Sequence, residues 1–350
     1  MADLVSAFRQ QAVACGRLGS PMYEALLEAM TAHLGGGGPL DKVLAGHEDD
    51  PGPSGLALRL LGTVHRLVLD GRASDLARFY PSMGGHFDLE AALPVLLSLL
   101  DDERDAVAEG LERPPQTNEV GRGAALVGAL LRLSPPGLPV RLVELGASAG
   151  LNLRADHFRC SGTGGAWGPP DSPVSLQDVW QGVPTPVDRQ LQVVERVGCD
   201  PSPIDPTSTQ GQVLLTAYVW PDQQDRLERL RGAFEVAARV PVDMHRMSAA
   251  EMVAGLQVRP GRCTVLWHSV MWQYVDPAEQ ALATTHVERL GTQSSADAPF
   301  AHLYLEPMRR SPGAPHEFVV AAQQWPPRLA GTDPVLGTTF GHGVPVTWER

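Results

Sequence analysis

Lysine is almost absent from this chain, because all but one of its 28 basic residues are arginines. Schiff-base enzymes and P-loop nucleotidases both require a well-placed lysine. The single lysine, Lys42, follows the four glycines at 35–38, but Asp41 precedes it, and the Gly-Lys-Ser/Thr ending of a phosphate-binding loop is missing. The sequence therefore indicates neither of these two enzyme classes.

Cysteine is scarce as well. The four cysteines stand far apart, with no Cys-x-x-Cys pair, and the histidines show no His-x-x-x-His pattern. Structural zinc sites and disulfide scaffolds show such spacings repeatedly. We therefore predict no metal site and four reduced, mostly structural thiols at Cys15, Cys160, Cys199 and Cys263.

Long apolar runs, a leader segment and basic clusters are also missing. No apolar stretch approaches the ~20 residues that span a bilayer, and the longest, residues 92–100, contains Pro94. The first residues lack the basic segment and apolar core of a signal peptide. The net charge is −12, without a cluster of arginines, which disfavours nucleic acid as a partner. These absences predict a cytoplasmic protein with no membrane or nucleic-acid partner.

Residues 1–113 show only helical patterns. Apolar residues recur at helical spacing over 22–34 and 56–67, separated by a Pro/Gly break at 49–53, and Asp88 can cap a third helix over 89–100. No alternation of period two appears there. We predict an all-helical N-terminal region, most simply a lid or an added domain.

Residues 114–350 instead alternate strands with helices. An amphipathic helix opens at 220–222, and the segment 158–190, rich in Gly, Pro and Trp, is predicted as an insertion, in part a hairpin over the site. Alternation of this kind predicts an α/β domain with a mainly parallel sheet, and a strand pair in the tail predicts an antiparallel edge. The predicted strands are 139–145, 191–200, 240–244, 262–267 and 302–305, with 317–324 and 343–348 in the tail.

The most informative stretch runs from Pro139 to Asn152. A short apolar run ends in Glu144, and small residues follow at alternate positions, Gly146, Ser148 and Gly150. We interpret it as a strand, a Gly-rich turn and a helix over 151–158, a unit that lets free N–H groups and a helix dipole approach a nucleotide-like ligand. Rossmann-like methyltransferases carry an acid at the position of Glu144. An ordinary buried turn that needs glycine for positive φ remains the alternative.

Other polar residues follow the predicted strands at their carboxyl ends, where ligands of parallel sheets bind. Asp200 ends the second strand and is predicted to hold ribose hydroxyls. It follows Gly146 by 54 residues, whereas the usual spacing is ~20. The insertion must account for the excess, so Asp205 stays open as the alternative. The same edge is predicted to hold Ser248, His268 and Ser269.

A serine hydrolase is a competing interpretation of the same turn. Residues 146–150 read Gly-x-Ser-x-Gly, the nucleophile elbow of α/β-hydrolases, with Ser148 as nucleophile. Asp276 followed by His316 or His342 would complete the required order. This interpretation leaves Glu144 without a role.

A polar stretch precedes the helix predicted over 124–133. Asn118 can cap that helix, and Glu119 and Arg122 can face each other at a spacing of three residues. Since the helix leads directly to the central strand, its polar start can also border the ligand crevice. Asn118, Glu119 and Arg122 are therefore candidates for contacts with the substrate.

Four segments together resemble the bacterial domain-of-unknown-function family 2332, over nearly the whole chain: 116–119, 144–153, 219–222 and 267–269. The resemblance implies a Rossmann-like, doubly wound fold similar to S-adenosylmethionine-dependent methyltransferases. It implies no substrate. Where methyltransferases carry Asp-Ala after the third strand, this chain has Ser248-Ala249.

The sequence thus predicts an S-adenosylmethionine-dependent methyltransferase acting on a small-molecule acceptor. The alternatives are the hydrolase and a non-catalytic adenosyl- or nucleotide-binding protein. Positioning dominates methyl transfer, so a base is needed only for some acceptors, and Glu119, His268 and Tyr274 are the candidates. The residues expected to bind the cofactor are Glu144, Gly146, Ala147, Ser148, Gly150, Asn152, Asp200, Ser248, His268 and Ser269.

Overall fold

The chain divides into two units that are not contiguous in sequence. A computed structural model describes residues 2–48, 50, 54–113, 115–327 and 334–349. Unit 1 comprises 1–117 and 208–228, and unit 2 comprises 118–207 and 229–350. The sequence analysis placed a boundary after residue 113, and it did not indicate that 208–228 belongs with the N-terminal helices. Residues 49, 51–53 and 114, part of the predicted break and boundary, lie outside the described residues.

The described part of unit 1 is helical, as predicted. Asp88 caps the third predicted helix by accepting from the backbone N–H of Ala91 at 3.2 Å. A core of fully buried apolar side chains, Leu27, Met30 and Leu61 among them, joins these helices. The helices are α1 Ala2–Arg17, α2 Pro21–Thr31, α3 Pro39–Leu44, α4 Leu56–Leu69, α5 Ser74–Ala77, α6 Leu89–Asp102 and α7 Arg104–Leu111.

The segment 208–228 belongs to unit 1 because its side chains complete that core. Trp220 is buried in it. Asp222 holds the start of α2, since its carboxylate accepts from the Ser20 hydroxyl at 2.6 Å and from the Met22 N–H at 3.0 Å. The segment contains a helix that the sequence did not reveal, and the amphipathic helix predicted from residue 220 begins four residues later: α9 Thr209–Ala217 and α10 Gln224–Ala237.

The described residues of unit 2 form one sheet of eleven strands in the order β3-β2-β4-β11-β10-β9-β8-β7-β1-β5-β6. The run β6-β5-β1-β7-β8 is parallel, and antiparallel pairs follow from β8 to β11. A mainly parallel sheet with antiparallel strands is therefore confirmed. The strands are β1 Val140–Leu145, β2 Arg159–Gly162, β3 Gly165–Trp167, β4 Ser175–Gly182, β5 Val193–Asp200, β6 Asp243–Arg246, β7 Cys263–Ser269, β8 Phe300–Met308, β9 Glu317–Trp325, β10 Val335–Thr339 and β11 Val346–Trp348.

The tail and the insertion differ from the sequence-based expectation. The two tail strands do not pair with each other, because β10, which the sequence did not indicate, lies between β9 and β11. They also do not form the sheet edge. The insertion supplies β2, β3 and β4, which extend the sheet beyond β11, with β2 and β3 forming a hairpin. The inserted hairpin thus forms one edge of the sheet, and β6 forms the opposite edge.

The two central parallel strands, β1 and β7, are covered on both faces. Every residue of β1 and β7 is buried, as expected where helices cover both sides of a sheet. Val143 and Leu266 pack against two helices on one face, α11 Ala249–Gly255 and α12 Pro277–Gln293. The helix α8 Gly123–Leu133 contacts both β8 and β4, so the sheet curls around it. No helix among the described residues is long and apolar enough to cross a bilayer.

The strand order reverses beside β1. From β1 the chain builds outward through β5 and β6 on one side, and then returns to place β7 and β8 on the other. In open parallel sheets such a reversal opens a crevice at the carboxyl ends of the two central strands. The residues after Leu145 and after Ser269 therefore face this crevice.

Gly128 in α8 is required by two tryptophans. A Cβ there would lie 2.3 Å from Trp348 Cζ2 and 3.0 Å from Trp180 Nε1. We expect Gly128→Ala to lower the free energy of unfolding by about 1–3 kcal/mol, because overpacking a filled core forces side chains apart. Urea unfolding followed by tryptophan fluorescence measures this change.

The matched control is Gly255→Ala, which places a Cβ at the end of α11 with nothing within 4 Å. Helix propensity favours alanine over glycine by up to about 1 kcal/mol, so this variant should be at least as stable as the wild type. Equal stability of both variants would show that Trp348 does not pack on α8.

Candidate functional site

The turn after β1 holds three residues in the left-handed region. Gly146 has φ 62°, Ser148 has φ 52° and Gly150 has φ 64°. Glycine is required at the first position, because a Cβ on Gly146 would lie 2.9 Å from Met271 Cγ. Ser148 adopts its φ despite its side chain, and such residues cost about 1–3 kcal/mol and cluster at functional sites. The turn is therefore a strained element rather than a relaxed connection.

A second strained turn lies beside the first. Val270, directly after β7, has φ 50°, a genuine outlier for a β-branched residue. Its N–H donates to the Leu305 carbonyl at 2.9 Å, which fixes it to β8. Since β1 and β7 are neighbouring strands, the two strained turns flank the crevice at the reversal of strand order.

Asp200 holds the first turn in place. Its Oδ2 accepts from the N–H of Ser148 at 2.9 Å, and its Oδ1 accepts from the N–H of Ser202 at 2.8 Å. The turn is also tied to β5 through the N–H of Ala147, which donates to the Cys199 carbonyl at 2.9 Å. Asp205 instead accepts from Thr207, through both the N–H and the hydroxyl. Of the two aspartates predicted for ribose, Asp200 accepts from the backbone N–H of Ser148.

The segment after the turn is shorter than predicted. In place of a helix over 151–158, the chain forms a 3₁₀ helix, Asn152–His157. Arg154 in this helix donates to the carbonyls of Gly150 at 2.8 Å and Val240 at 2.7 Å. A 3₁₀ helix of six residues aligns few peptide dipoles, so the expected dipole of a longer α-helix is not formed at this site.

Two of the proposed substrate-side residues contact the turn. Asn118 does not cap α8; its Oδ1 accepts from the Leu151 N–H at 2.9 Å. Glu119 accepts from the Gly121 N–H at 3.1 Å through its side chain, and its carbonyl accepts from Asn152 Nδ2 at 3.1 Å. Asn152 is buried, and its Oδ1 has no hydrogen-bond partner among the described residues.

The third substrate-side candidate, Arg122, contacts the end of β7. It is in a 3₁₀ helix, Val120–Arg122, that precedes α8. Its guanidinium donates to the carbonyls of Ser269 at 3.3 Å and Gly341 at 3.2 Å. Arg122 therefore fixes the end of β7 to the loop before β11.

Glu144 is the least satisfied acid near the turn. It is 2 % exposed, and its Oε2 has no hydrogen-bond partner among the described residues. Burial raises its pKa to about 8, and the nearby Trp267, Arg122 and Arg154 offset this only in part. The carboxyl is therefore largely protonated at neutral pH. A bound cation or hydrogen-bond donor would satisfy this carboxyl and favour its charged form.

His268 lies in a buried cluster at the ends of β7 and β8. Its Nδ1 is 2.8 Å from Glu306 Oε1, and its Nε2 is 3.0 Å from His302 Nε2. Its ring stacks with those of Trp272 and Tyr304. Burial holds the pKa of His302 well below its usual value, so this partner is neutral. Both nitrogens of His268 are engaged, which leaves no free nitrogen for a substrate in this conformation.

The cluster contains two residues that the sequence analysis missed, Glu306 and His302. Glu306 Oε1 also accepts from the N–H groups of Met271 at 3.1 Å and Trp272 at 3.3 Å, so it shapes the turn after β7. Its Oε2 is buried and has no partner among the described residues. An acid that ends an apolar strand, the pattern that singled out Glu144, would have indicated Glu306.

The remaining predicted residues have structural partners or lie exposed. Ser248 caps α11 in a capping box with Glu251. Tyr274 is 54 % exposed. Asp276, the acid of the hydrolase hypothesis, caps α12 by accepting from the Ala278 N–H at 2.8 Å. His316 is exposed in the loop before β9, and His342 lies beside the 3₁₀ helix at 120–122. The described residues contain no group of three or more His, Cys, Asp or Glu suited to a metal.

The raised pKa of Glu144 predicts a pH dependence of stability. The folded protein keeps a proton that the unfolded chain releases above pH 4.5, so wild-type stability should fall from about pH 4.5 to about pH 8 and then level off. Glu144→Gln lacks this slope. Its stability relative to wild type should rise by about 2–4 kcal/mol between pH 5 and pH 9, measured by urea unfolding at each pH.

The control for this experiment is Glu235→Gln, an exposed acid in α10. It should follow the wild-type stability profile across the same pH range. A Glu144→Gln profile parallel to wild type would show that Glu144 has an ordinary pKa, and would remove the argument for its unsatisfied burial.

No curated protein sequence matches this chain. The model of domain-of-unknown-function family 2332, described as uncharacterised proteins conserved in bacteria, matches residues 5–348. The match covers almost all of both units, and so the chain is a member of this bacterial family.

Proposed function

We propose that this protein is an S-adenosylmethionine-dependent methyltransferase acting on a small molecule. The observation that carries the proposal is the buried Glu144, whose Oε2 has no partner among the described residues at the end of the central strand. A buried carboxyl oxygen kept without a hydrogen bond is costly. A ligand that donates to it from the crevice removes that cost.

The strand order supports this proposal. The run β6-β5-β1-β7-β8 corresponds to the 3-2-1-4-5 arrangement of doubly wound sheets, which bind ligands where the order reverses. The two strained turns, at Ser148 and Val270, lie at that reversal. We therefore include a methyltransferase-type doubly wound fold in the proposal. After β8 the sheet continues through antiparallel strands.

The polar groups around the turn fit the proposed cofactor. Glu144 Oε2 and Asn152 Oδ1 are buried acceptors without partners among the described residues, and a cationic amino group offers three donors. Asp200 uses each carboxylate oxygen once, which leaves lone pairs for ribose hydroxyls. When bound, S-adenosylmethionine supplies an activated methyl group.

The protein's own contribution is positioning. Glu144 binds the amino-acid end, Asp200 orients the ribose, and the rigid turns hold both in a fixed geometry that excludes water. A general base is not required for an acceptor that is already nucleophilic. Of the three candidate bases, Glu119 is buried with Oε1 bonded to Gly121, His268 has both nitrogens engaged, and Tyr274 is exposed.

A serine hydrolase remains a second candidate because Ser148 has the strained φ of 52° that a nucleophile elbow requires. A fluorophosphonate probe tests it, since labelling must occur and must disappear in Ser148→Ala. A non-catalytic adenosyl-binding protein would share the binding predicted below and show no turnover with any acceptor.

Calorimetric titration with S-adenosylmethionine and S-adenosylhomocysteine tests the proposal. We expect micromolar binding of both ligands to the wild type, and at least about tenfold weaker binding to Glu144→Ala, because the lost contact is a charge-assisted hydrogen bond in a buried site. Asp200→Asn should weaken binding as well. Its amide oxygen can still accept from Ser148, whereas the charge is lost.

Glu235→Ala is the control and should bind as the wild type does. If neither ligand binds at millimolar concentration, the cofactor assignment is ruled out. Equal affinities of wild type and Glu144→Ala would move the site away from Glu144.

A further inference from the structure

A cavity of about 490 Å³ lies within unit 2 beside the turn after β1. Ala149 of that turn forms part of its wall. The loop at 203–207 and the segment 237–242, which connects α10 to β6, form the rest, together with Arg154 and Met244. Its volume lies within the range of about 300–1,000 Å³ typical of small-molecule sites.

Arg154 brings an unpaired charge to this cavity. It is 5 % exposed. Its Nε donates to the Val240 carbonyl and its Nη1 to the carbonyls of Gly150 and Ala149, whereas Nη2 makes no hydrogen bond to any described residue. No described carboxylate lies within ion-pair distance. Burial lowers its pKa only to about 10, so the guanidinium is charged at neutral pH.

The other charges on the lining leave an excess of positive charge. Arg239 contributes a second cation, whose Nε donates to the Glu235 carbonyl at 3.2 Å. Asp205 contributes one carboxylate, which accepts from Thr207. Two cations and one anion leave a net charge of +1 on a chain whose total is −12. Most of the remaining lining is apolar, including Ile204, Pro206, Pro241, Val242 and Met244.

We propose that this cavity binds a small organic anion, with a carboxylate or phosphate at Arg154 and an apolar body against Ile204 and Val242. Arginine pairs with both groups through parallel hydrogen bonds. Its buried charge is without a carboxylate partner among the described residues, and an unpaired buried charge is costly. The anion supplies the missing partner.

The cavity and the proposed cofactor site share one structural element. Arg154 binds the ligand on one side and the carbonyls of Ala149 and Gly150 on the other. An anion at Arg154 is therefore held next to the backbone that carries Ser148. That this anion is the methyl acceptor rests on the proposed function, whereas its binding does not.

The test uses the full chain and simple probes: benzoate and phenyl phosphate as anions, and benzamide as the neutral analogue of benzoate. Calorimetry should show at least one anion binding with a millimolar or lower Kd, and benzamide binding at least about tenfold more weakly. Affinity for the anion should fall as ionic strength rises. The proposal would be overturned if benzoate and benzamide bound equally well. It would also be overturned if neither anion bound at a concentration of about 10 mM, which is high enough to detect weak complexes.

One variant tests Arg154 itself, and two variants at exposed positions locate the binding without disturbing the turn. Arg154→Met should abolish anion binding, but it also removes three hydrogen bonds from the backbone. Arg239→Glu changes only an exposed lining residue and should weaken anion binding at least about fivefold. Arg231→Glu, the same change at an exposed position of α10 outside the lining, should leave it unchanged. If Arg239→Glu and Arg231→Glu weaken anion binding equally, the anion does not bind in this cavity.

The outcomes also separate this proposal from the methyltransferase. Anion binding without S-adenosylmethionine binding would support the proposed anion site and exclude the role of the anion as methyl acceptor. S-adenosylmethionine binding without anion binding would overturn the proposed anion site and leave the proposed function intact.

Discussion

One hydrogen bond, from the N–H of Ser148 to Asp200 Oδ2, holds the candidate site together. A turn with three left-handed residues in five positions is not stable by itself, because one of them carries a side chain. Asp200 fixes the turn to the end of β5, and Asn118 and Arg154 fix the other end of the turn. The geometry of the crevice therefore depends on long-range contacts made by a few polar side chains.

Two buried acids at neighbouring strand ends behave differently. Glu306 organises the turn after β7 through three contacts of its Oε1, whereas Glu144 lies at the end of the central strand; the Oε2 of each acid has no partner among the described residues. The first is an element of the scaffold, and the second is available to a ligand. This contrast is why the proposed function rests on Glu144 and treats His268, which Glu306 and His302 hold, as a residue of the cluster.

The sequence predicted the parts of the fold that depend on local pattern. Buried apolar runs revealed β1, β5 and β7, and glycine spacing revealed the turn. It did not reveal β10, a short strand containing Gly337, or the membership of 208–228 in unit 1, which depends on the burial of Trp220. Asn118 was predicted as a local cap, but its partner, Leu151, lies 33 residues away. Contacts of this kind follow from the tertiary structure and leave no periodic signal.

The division of the chain has a consequence for its biosynthesis. The N-terminal helices cannot bury Trp220 or bind Asp222 until those residues have been translated. By then β1 and β5 have already been translated, while β6 to β11 have not. Unit 1 can therefore be completed only after the first strands of unit 2 have been synthesised, and no single cut in the polypeptide yields both units whole.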